Sequence, residues 1–592
     1  LFWLGCQGLA IRGLKDERSN FITLLWMWAN SDSILRLHLE TTKGTKRSYL
    51  SHRMQNEFIN LMGAAILASI LTEIKRSPFW AVLGDEGTDS AGKCQMAVFI
   101  RYWLLLASGQ YKTKETFVGF VHVPDTSGLA IKNALERHLR DTLKLDMGIM
   151  RAQGYDGAGN MAGCNIGVQK LMTELYPLCI YFHCLCHCLN LAINSTCQLA
   201  TIASFISVME SLTVAFKMSP KRQHHLLQKL QDPRYNHNHE IGNQEKVATF
   251  CQTRWAQRSD SMTTVKNALP ALEQTFITLD GLPTNQRDKD AAQYKLMINE
   301  FSFIIVLCMM EKTFALLLVL CVALQKQEID MYEGIRQTTS VVEQLEKYMT
   351  HDEGLFGTLF AEAVHLSTLL EDDVEVRVPR NYRRQAGLNQ NQEDVKEFYR
   401  TTIWLPYLEH LCSQLRIRML DNEEKLLCLL LVPSPGNLTR LSHFSDHALL
   451  ELFKPFRGDN NDLSHATDAQ LLAEITLWLQ RWNRICAGED GGHVTDLPHS
   501  IADTLNSSHV NINSFPNIKT VLLVMGVWPV TTASVERIIS LLRRLKPWLR
   551  NRMTNERMNS LALMLANPDF KMDYDGILLQ WAQKHKRNIR LA

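Results

Sequence analysis

The spacing of hydrophobic residues changes near residue 79. Before it, residues 50–78 carry apolar side chains at intervals close to 3.6 residues, which predicts a helix that ends before Pro78. After it come short runs of β-branched and aromatic residues, separated by polar and glycine-containing segments, which is typical of strands joined in sequence. These runs are FWAVLGD (79–85), QMAVFIRYW (95–103) and ETFVGFVHV (115–123).

Helices and strands then alternate. Ile131, Leu135 and Leu139 share one face of a predicted helix. A run that ends in GYDG (154–157) predicts a fourth strand, and CIYFH (179–183), after a further helix, predicts a fifth. The order is β-β-β-α-β-α-β, so we expect an α+β fold.

From about residue 184 the helical period continues almost to the end of the chain. The most apolar segment, 301–324, contains Glu311 and Lys312, and the uninterrupted apolar stretch that remains is too short to cross a bilayer. We therefore expect a protein that is α-rich overall and has no membrane partner.

Composition narrows the class of protein. The formal net charge is +2, so a nucleic-acid partner requires a local basic surface rather than a global field. The 14 cysteines among 592 residues do not indicate a disulfide scaffold, and they favour a reducing compartment. The chain starts with LFWLGCQ and not with Met, which we interpret as a fragment that lacks an N-terminal piece.

Two aspartates stand where predicted strands end. Asp85 closes the first strand and Asp156 follows the fourth, in the element order used by ribonuclease-H-like nucleotidyl transferases. Such chemistry needs carboxylates because oxygen ligands hold the hard cations that clamp the attacking and leaving oxygens of a phosphodiester. Asp89 is a rival for Asp85, and turn formation is the structural alternative for Asp85 and Asp156.

Five ordered motifs resemble the hAT superfamily of DDE transposases, closest to the branch of zinc finger MYM-type proteins and the repressor of the inhibitor of the protein kinase. The resemblance covers nearly the whole chain. The motifs are GDEGTD (84–89), GYDGAGNMAG (154–163), HCLCHCLNLAI (183–193), TRWAQR (253–258) and the segment 515–553 that contains ASVERIISLL.

The resemblance implies a ribonuclease-H-like mixed sheet that is split by a large all-helical insertion. It also implies that the apolar run 521–528 packs against another chain or against the insertion, within a C-terminal dimerisation region. The segments that we expect are an N-terminal helical region (1–78), the first part of the catalytic core (79–200), the insertion (201–510), the dimerisation region that completes the core (511–570) and a basic tail (571–592).

The same resemblance implies a catalytic and metal-binding set of Asp85, Asp156 and Glu536, with Mg²⁺ or Mn²⁺ as the cofactor. Glu536 lies in the first turns of a predicted helix, where an acid is also favoured by the helix dipole alone. The residue at 87 is glycine, where the family usually has Ser or Thr.

Cys184 and His187 match a C-x-x-H pair of the family and are interpreted as a structural motif. A structural zinc is not expected, because a tetrahedral site needs four ligands and no second spaced pair stands nearby. The resemblance further implies that Trp255 stacks on an exposed base while Arg254 and Arg258 bind phosphate. The alternative role for Trp255 is to anchor the insertion on the sheet.

The sequence is compatible with two functions. The first is a hAT-type transposase or a protein derived from one, which dimerises through its C-terminal region and cleaves and transfers DNA strands with metal ions if it is active. The second is a domesticated, catalytically silent regulator that is dimeric or of higher order and binds DNA or chromatin. Both imply a nuclear location. The family reads DNA ends with an N-terminal zinc finger that these residues do not contain.

Overall fold

The computed structural model describes most of the chain. The described residues are 1–13, 18–45, 48–88, 92–235, 255–350, 352–372, 374–379, 391–421, 426–488, 497–545 and 553–584. Their contacts divide them into two compact units. The first comprises 1–184, 327–333 and 424–592, and the second comprises 185–326 and 334–423.

The first unit is built on a five-stranded mixed sheet of order β3-β2-β1-β4-β5. Strands β1, β2 and β3 pair antiparallel, whereas β4 pairs parallel with β1, and β5 pairs parallel with β4. The α-rich fold, predicted from the hydrophobic pattern, and the mixed sheet, which the resemblance implied, are both confirmed. The strands are β1 (Trp80–Thr88), β2 (Cys94–Leu105), β3 (Tyr111–His122), β4 (Met150–Tyr155) and β5 (Ile180–His183).

Helices of the first unit cover this sheet, and they come from both ends of the chain. His52–Ile74 begins at Ser51, whose side chain accepts a hydrogen bond from the Met54 amide, and it packs against Asn555–Ala566. The other α-helices of this unit are Phe2–Cys6, Asn20–Ala29, Ser33–Thr41, Gly128–Arg137, Gly159–Ala162, Val168–Leu175, Pro435–Ser442, Asp446–Glu451, Asp468–Cys486, Ile501–Asn506, Pro516–Gly526, Ala533–Leu545 and Tyr574–Lys584.

All the regular elements in the described residues of the second unit are helices. Its α-helices are Leu185–Thr196, Ala200–Met218, Pro220–Leu230, Trp255–Asn267, Leu269–Asp280, Ala291–Ile298, Phe301–Leu324, Met331–Thr350, which starts in the first unit, Asp352–Thr368, Gln392–Tyr399 and Leu405–Leu415.

The contact division differs from the predicted segments at 424–510. These residues group with the sheet and not with the helical unit. Their longest helix, Asp468–Cys486, explains why: the buried Glu474 carboxylate accepts hydrogen bonds from the Ile518 amide (2.8 Å) and the Asn517 side chain (2.7 Å). The segment is thereby fixed to the helix Pro516–Gly526 of the first unit.

The apolar run 521–528 is buried inside the first unit, where Trp528 stacks on Phe456 of the segment that was predicted as part of the insertion. A Cβ on Gly526 would lie 1.9 Å from the Trp103 ring, so glycine is needed for this close approach. The Trp103 indole N–H donates to the Leu523 carbonyl oxygen at 2.7 Å. The run therefore belongs to the packing of the sheet.

In the described part of the chain, three helices are long and apolar enough to cross a membrane by length and composition alone: His52–Ile74, Ala200–Met218 and Phe301–Leu324. The sequence analysis judged the apolar stretch without Glu311 and Lys312 too short to cross a bilayer, whereas the helix that contains them runs over 24 residues and is long enough. Within the protein, 67% of its most apolar window is buried. Glu311 lies 3.2 Å from the Lys266 ammonium, so its charge is paired on the helix surface.

Candidate active site

Two aspartates lie at the same edge of the sheet. Asp85 is near the end of β1, and Asp156 directly follows β4. The two strands are parallel, and Leu83 pairs with Gly154. Continuing that register by two residues brings Asp85 and Asp156 side by side, at the carboxyl ends where ligands bind in sheets of this kind.

Each aspartate is held by a local hydrogen bond. The Asp85 Oδ1 atom accepts from the Glu86 amide at 2.8 Å, and the Asp156 Oδ1 atom accepts from the Ala158 amide at 3.2 Å. The turn that was the structural alternative for Asp156 is therefore present. Each aspartate keeps its second carboxylate oxygen outside these bonds.

The third carboxylate comes from a distant part of the chain. Glu536 lies in the first turn of Ala533–Leu545, called here the Glu536 helix, which packs against β1, β2 and β3. A Cβ on Gly87 would lie 2.7 Å from the Ile539 Cγ2 atom. Glycine at position 87, a departure from the family pattern, thus lets this helix approach the end of β1 that carries Asp85.

Burial and neighbouring negative charge act together on Asp85. They raise the pKa of its carboxyl group from 3.8 to about 7, through burial first, then the charge of Asp156, and more weakly that of Glu536, against the opposing hydrogen bond from the Glu86 amide. Burial and Asp156 also raise the pKa of Glu86, while a hydrogen bond from Asn160 opposes this. A bound cation would stabilise the ionised forms of these carboxyl groups, so the site favours binding of a positive charge.

The donor set fits a hard divalent cation in chemical type, because every candidate ligand is a carboxylate oxygen. The Glu86 Oε1 atom is buried without a hydrogen-bond partner among the described residues, which adds an unsatisfied oxygen beside the cluster. The acidic side chains of the site are nevertheless not closely grouped. In the described ranges no three Asp, Glu, His or Cys side chains are grouped closely enough to hold one metal ion, and Glu536 is exposed.

Comparisons with known proteins find matches in two regions of the chain. Residues 1–167 match the family described as ZMYM1/FAM200, RNase-like domain, and residues 493–570 match the hAT family C-terminal dimerisation region. The chain is similar to hAT proteins in its C-terminal region. It is 26% identical to the human (Homo sapiens) 52 kDa repressor of the inhibitor of the protein kinase, over 97% of this chain and 74% of that protein. The Mus musculus protein of the same name is 25% identical over the same shares.

Cys184 ties β5 to the Glu536 helix. The buried thiol follows β5 directly, and its Sγ atom accepts a hydrogen bond from the Thr532 amide at 3.2 Å. The Thr532 carbonyl oxygen in turn accepts from the Glu536 amide at 2.9 Å. Cys184 therefore positions the start of the helix that carries the third acid. His187 is half-buried in the first turn of Leu185–Thr196, in the second unit.

A buried ion pair, which the sequence analysis missed, supports the same helix. The Arg101 guanidinium lies 2.7 Å from a Glu115 carboxylate oxygen, and both side chains are almost fully buried. The other Glu115 oxygen accepts from the Ser534 hydroxyl at 2.8 Å. Arg101 and Glu115 are cross-strand partners on β2 and β3, so two opposite charges at one register of apolar strands were the available signal.

The side chains of the predicted nucleic-acid contacts lie outside the described part of the chain. Arg254 lies outside the described residues. Trp255 begins the helix Trp255–Asn267, and Arg258 lies in its first turn, but their side chains are outside the described part. The roles of these residues stay predictions.

Proposed function

We propose that this chain is a hAT-type transposase or a transposase-derived protein, with a ribonuclease-H-like core that the helical unit splits. One observation carries the proposal: Asp85, Asp156 and the Glu536 helix meet at one sheet edge although they are far apart in sequence. The strand order, three antiparallel strands followed by two parallel ones, supports the same assignment.

Asp85, Asp156 and Glu536 would hold Mg²⁺ or Mn²⁺. When bound, such ions supply Lewis-acid stabilisation of the oxygens that attack and leave the phosphodiester. The protein's own contribution is to orient the three carboxylates through the Glu86 and Ala158 amides and the Cys184 anchor. Asp85 retains a proton near neutral pH in the absence of positive charge, and it would release that proton as a ligand.

The rest of the assembly follows from the same assignment. The match of 493–570 to a dimerisation region supports a homodimer. DNA is the proposed partner, with Arg254, Trp255 and Arg258 as its contacts, and a nuclear location is proposed with it. These proposals rest on the family resemblance.

A catalytically silent dimeric regulator is the second candidate function. It is favoured by the open arrangement of acids in the described residues, where no three-ligand group is formed and Glu536 faces solvent. It also accords with the human and mouse relatives, whose name describes a repressor.

Cleavage of DNA distinguishes the two functions. The purified chain is incubated with supercoiled plasmid and Mn²⁺, and nicking is followed on a gel. We expect Asp156→Asn to abolish nicking, because the amide keeps the Ala158 hydrogen bond but removes the charge that binds metal.

Asp459→Asn is the matched control, since Asp459 is an exposed acid in a loop of the same unit. Circular dichroism checks that both variants are folded. Nicking that persists in Asp156→Asn would refute the active-site assignment. A folded wild-type chain that does not nick in Mn²⁺ or Mg²⁺ would favour the silent regulator.

A further inference from the structure

Two helices near the start of the chain expose an unusual amount of apolar surface. Asn20–Ala29 and Ser33–Thr41 pack against each other, and we call residues 20–41 the N-terminal hairpin. Eight of the ten residues of the first helix are apolar, yet only Ala29 among them is buried. A helix that is hydrophobic all round is usually found in a protein interior. The composition of this helix therefore indicates that a further surface covers it.

The exposed side chains of the N-terminal hairpin are large. Trp28 is 63% exposed and Ile34 is 82% exposed. Ile34 and Leu37 lie one turn apart and share a face of the second helix. The exposed apolar residues of the hairpin are Trp26, Met27, Trp28, Ile34 and Leu37.

The N-terminal hairpin is attached to the first turns of the helix His52–Ile74. The Phe21 amide donates a hydrogen bond to the Ile11 carbonyl oxygen at 3.2 Å. The neighbouring Arg12 guanidinium donates to the Asn56 Oδ1 atom at 2.7 Å. The start of the hairpin is thereby held near residue 56.

A second exposed apolar surface is attached at the same place. The indole N–H of Trp581, in the helix Tyr574–Lys584, donates to the Glu57 Oε2 atom at 2.9 Å. The Trp581 ring stacks on Phe58, with the ring centroids 5.2 Å apart. Residues 56–58 lie within one turn of their helix, so both attachments are at one end of it.

We call the exposed apolar residues around this end of the helix His52–Ile74 the end surface. They comprise the five residues of the N-terminal hairpin together with Tyr49, Tyr574, Leu578 and Leu579.

The end surface adjoins the region that matches a dimerisation family. The helix Asn555–Ala566 lies inside the matched residues 493–570, and it packs against both His52–Ile74 and Phe2–Cys6. The helix Tyr574–Lys584 directly follows the matched region. The end surface therefore continues from the part of the chain that is expected to meet a second copy.

The size and charge of the end surface fit a second copy. Aromatic side chains bury about 150–250 Å² each, and on that scale the nine residues expose roughly 900 Å² per chain. Two copies would bury about twice that area, which is within the roughly 1,200–2,000 Å² of stable complexes. In the hairpin, Arg36 lies 3.4 Å from Glu40, so these opposite charges are paired within one chain.

We propose that the end surface is the contact between two copies of this chain, with the N-terminal hairpin of each copy covered by the end surface of the other. The proposal rests on the homodimer of the proposed function, and it adds residues 20–41, which lie outside the matched dimerisation region. A contact in which both copies use the same surface closes as a dimer with twofold symmetry. It does not involve the carboxylate site.

Sedimentation velocity of the intact chain over a range of concentrations tests the proposal. Ile34→Glu places a charge on the end surface, and it should fold normally because Ile34 is almost fully exposed. We expect it to raise the dissociation constant of the dimer at least about tenfold. Leu296→Glu is the matched control, since Leu296 is 70% exposed on a helix of the second unit, and it should leave the dimer unchanged within about twofold.

Hydrogen exchange of the wild type locates the contact. It is measured at concentrations above and below the dissociation constant. We expect amide exchange in 20–41 and in 574–584 to be slower in the dimer. Exchange in the helix Asp468–Cys486, which contributes no residue to the end surface, should be the same in both states.

Three results would overturn the proposal. A dimer whose affinity is unchanged by Ile34→Glu, or whose formation does not slow exchange in 20–41, would overturn it and leave the homodimer in place on another surface. A chain that is monomeric at every concentration would overturn it together with the homodimer. Binding of a monomeric wild type, but not of Ile34→Glu, to phosphatidylserine vesicles would make the end surface a lipid contact instead. Plasmid nicking tests the carboxylate site separately in each case.

Discussion

Asp85 couples the candidate active site to stability. The folded chain keeps a proton on Asp85 up to about pH 7, whereas the unfolded chain releases it near pH 3.8. Stability therefore falls as pH rises from about 4 to about 7, and the loss is complete above that range. We expect Asp85→Asn to stabilise the metal-free chain at pH 8 by at most about 4 kcal/mol, and less because water reaches the half-buried side chain.

Urea unfolding in EDTA across this pH range measures the effect, and the gap between the wild type and Asp85→Asn should close toward pH 4. Added Mg²⁺ should reduce the pH dependence of the wild type alone, because a bound cation stabilises the ionised carboxylate. Asp459→Asn is the control at an exposed position. A stability difference that is the same at every pH would show that Asp85 carries no raised pKa.

Some residues of the candidate site could be predicted from the sequence, and others only from the structure. Asp85 and Asp156 could be predicted because each lies at the end of an apolar run whose pattern predicts a strand. The role of Gly87 could not, since it depends on contact with Ile539 from the far end of the chain. The same holds for Asn506 and Asn559, whose side chains each exchange two hydrogen bonds with the main chain of β3, because an isolated asparagine carries no sequence signal of its long-range partner.

The sulfur atom of Cys184 is one of the groups that anchor the start of the Glu536 helix. Cys184→Ala removes the acceptor of the Thr532 amide in a buried place, and we expect a loss of about 1–3 kcal/mol in the free energy of unfolding. Amide hydrogen exchange should become faster in the first turn of this helix. Cys184→Ser keeps an acceptor and should recover most of the protection.

Cys179→Ala provides the matched control for that experiment. Cys179 is a fully buried thiol in the same unit, and deleting it should cost stability without faster exchange at Thr532 or Glu536. Equal exchange of these amides in both alanine variants would rule out Cys184 as the anchor of the helix.

The strands are the elements that the sequence predicted best, because their short apolar runs lie in one continuous segment between turns. The division into units was harder to predict. Residues 424–510 have the same helical period as the second unit, and only tertiary contacts such as Glu474 with Ile518 assign them to the sheet. Periodicity indicates which face of a helix is buried but not which partner covers it.

At the scale of the whole molecule, the homodimer that we propose would use residues other than the apolar run 521–528, since that run is already buried. The helix Tyr574–Lys584 follows the matched dimerisation region directly and exposes Leu578 and Leu579, the latter by 52%. Exposed leucines next to each other are costly in water and favour association. We therefore expect the intact chain to sediment at about twice its 67.7 kDa mass.

Leu579→Lys should raise the dissociation constant of the dimer at least about tenfold, because a charge would replace an apolar side chain that the dimer buries. Leu477→Lys is matched to it, as Leu477 is 57% exposed on a helix outside the dimerisation region, and it should leave the dimer intact. Sedimentation velocity over a range of concentrations measures both. A dimer that is unchanged by Leu579→Lys would place the interface on another surface. A chain that is monomeric at every concentration would contradict the dimer that the match of its C-terminal region implies.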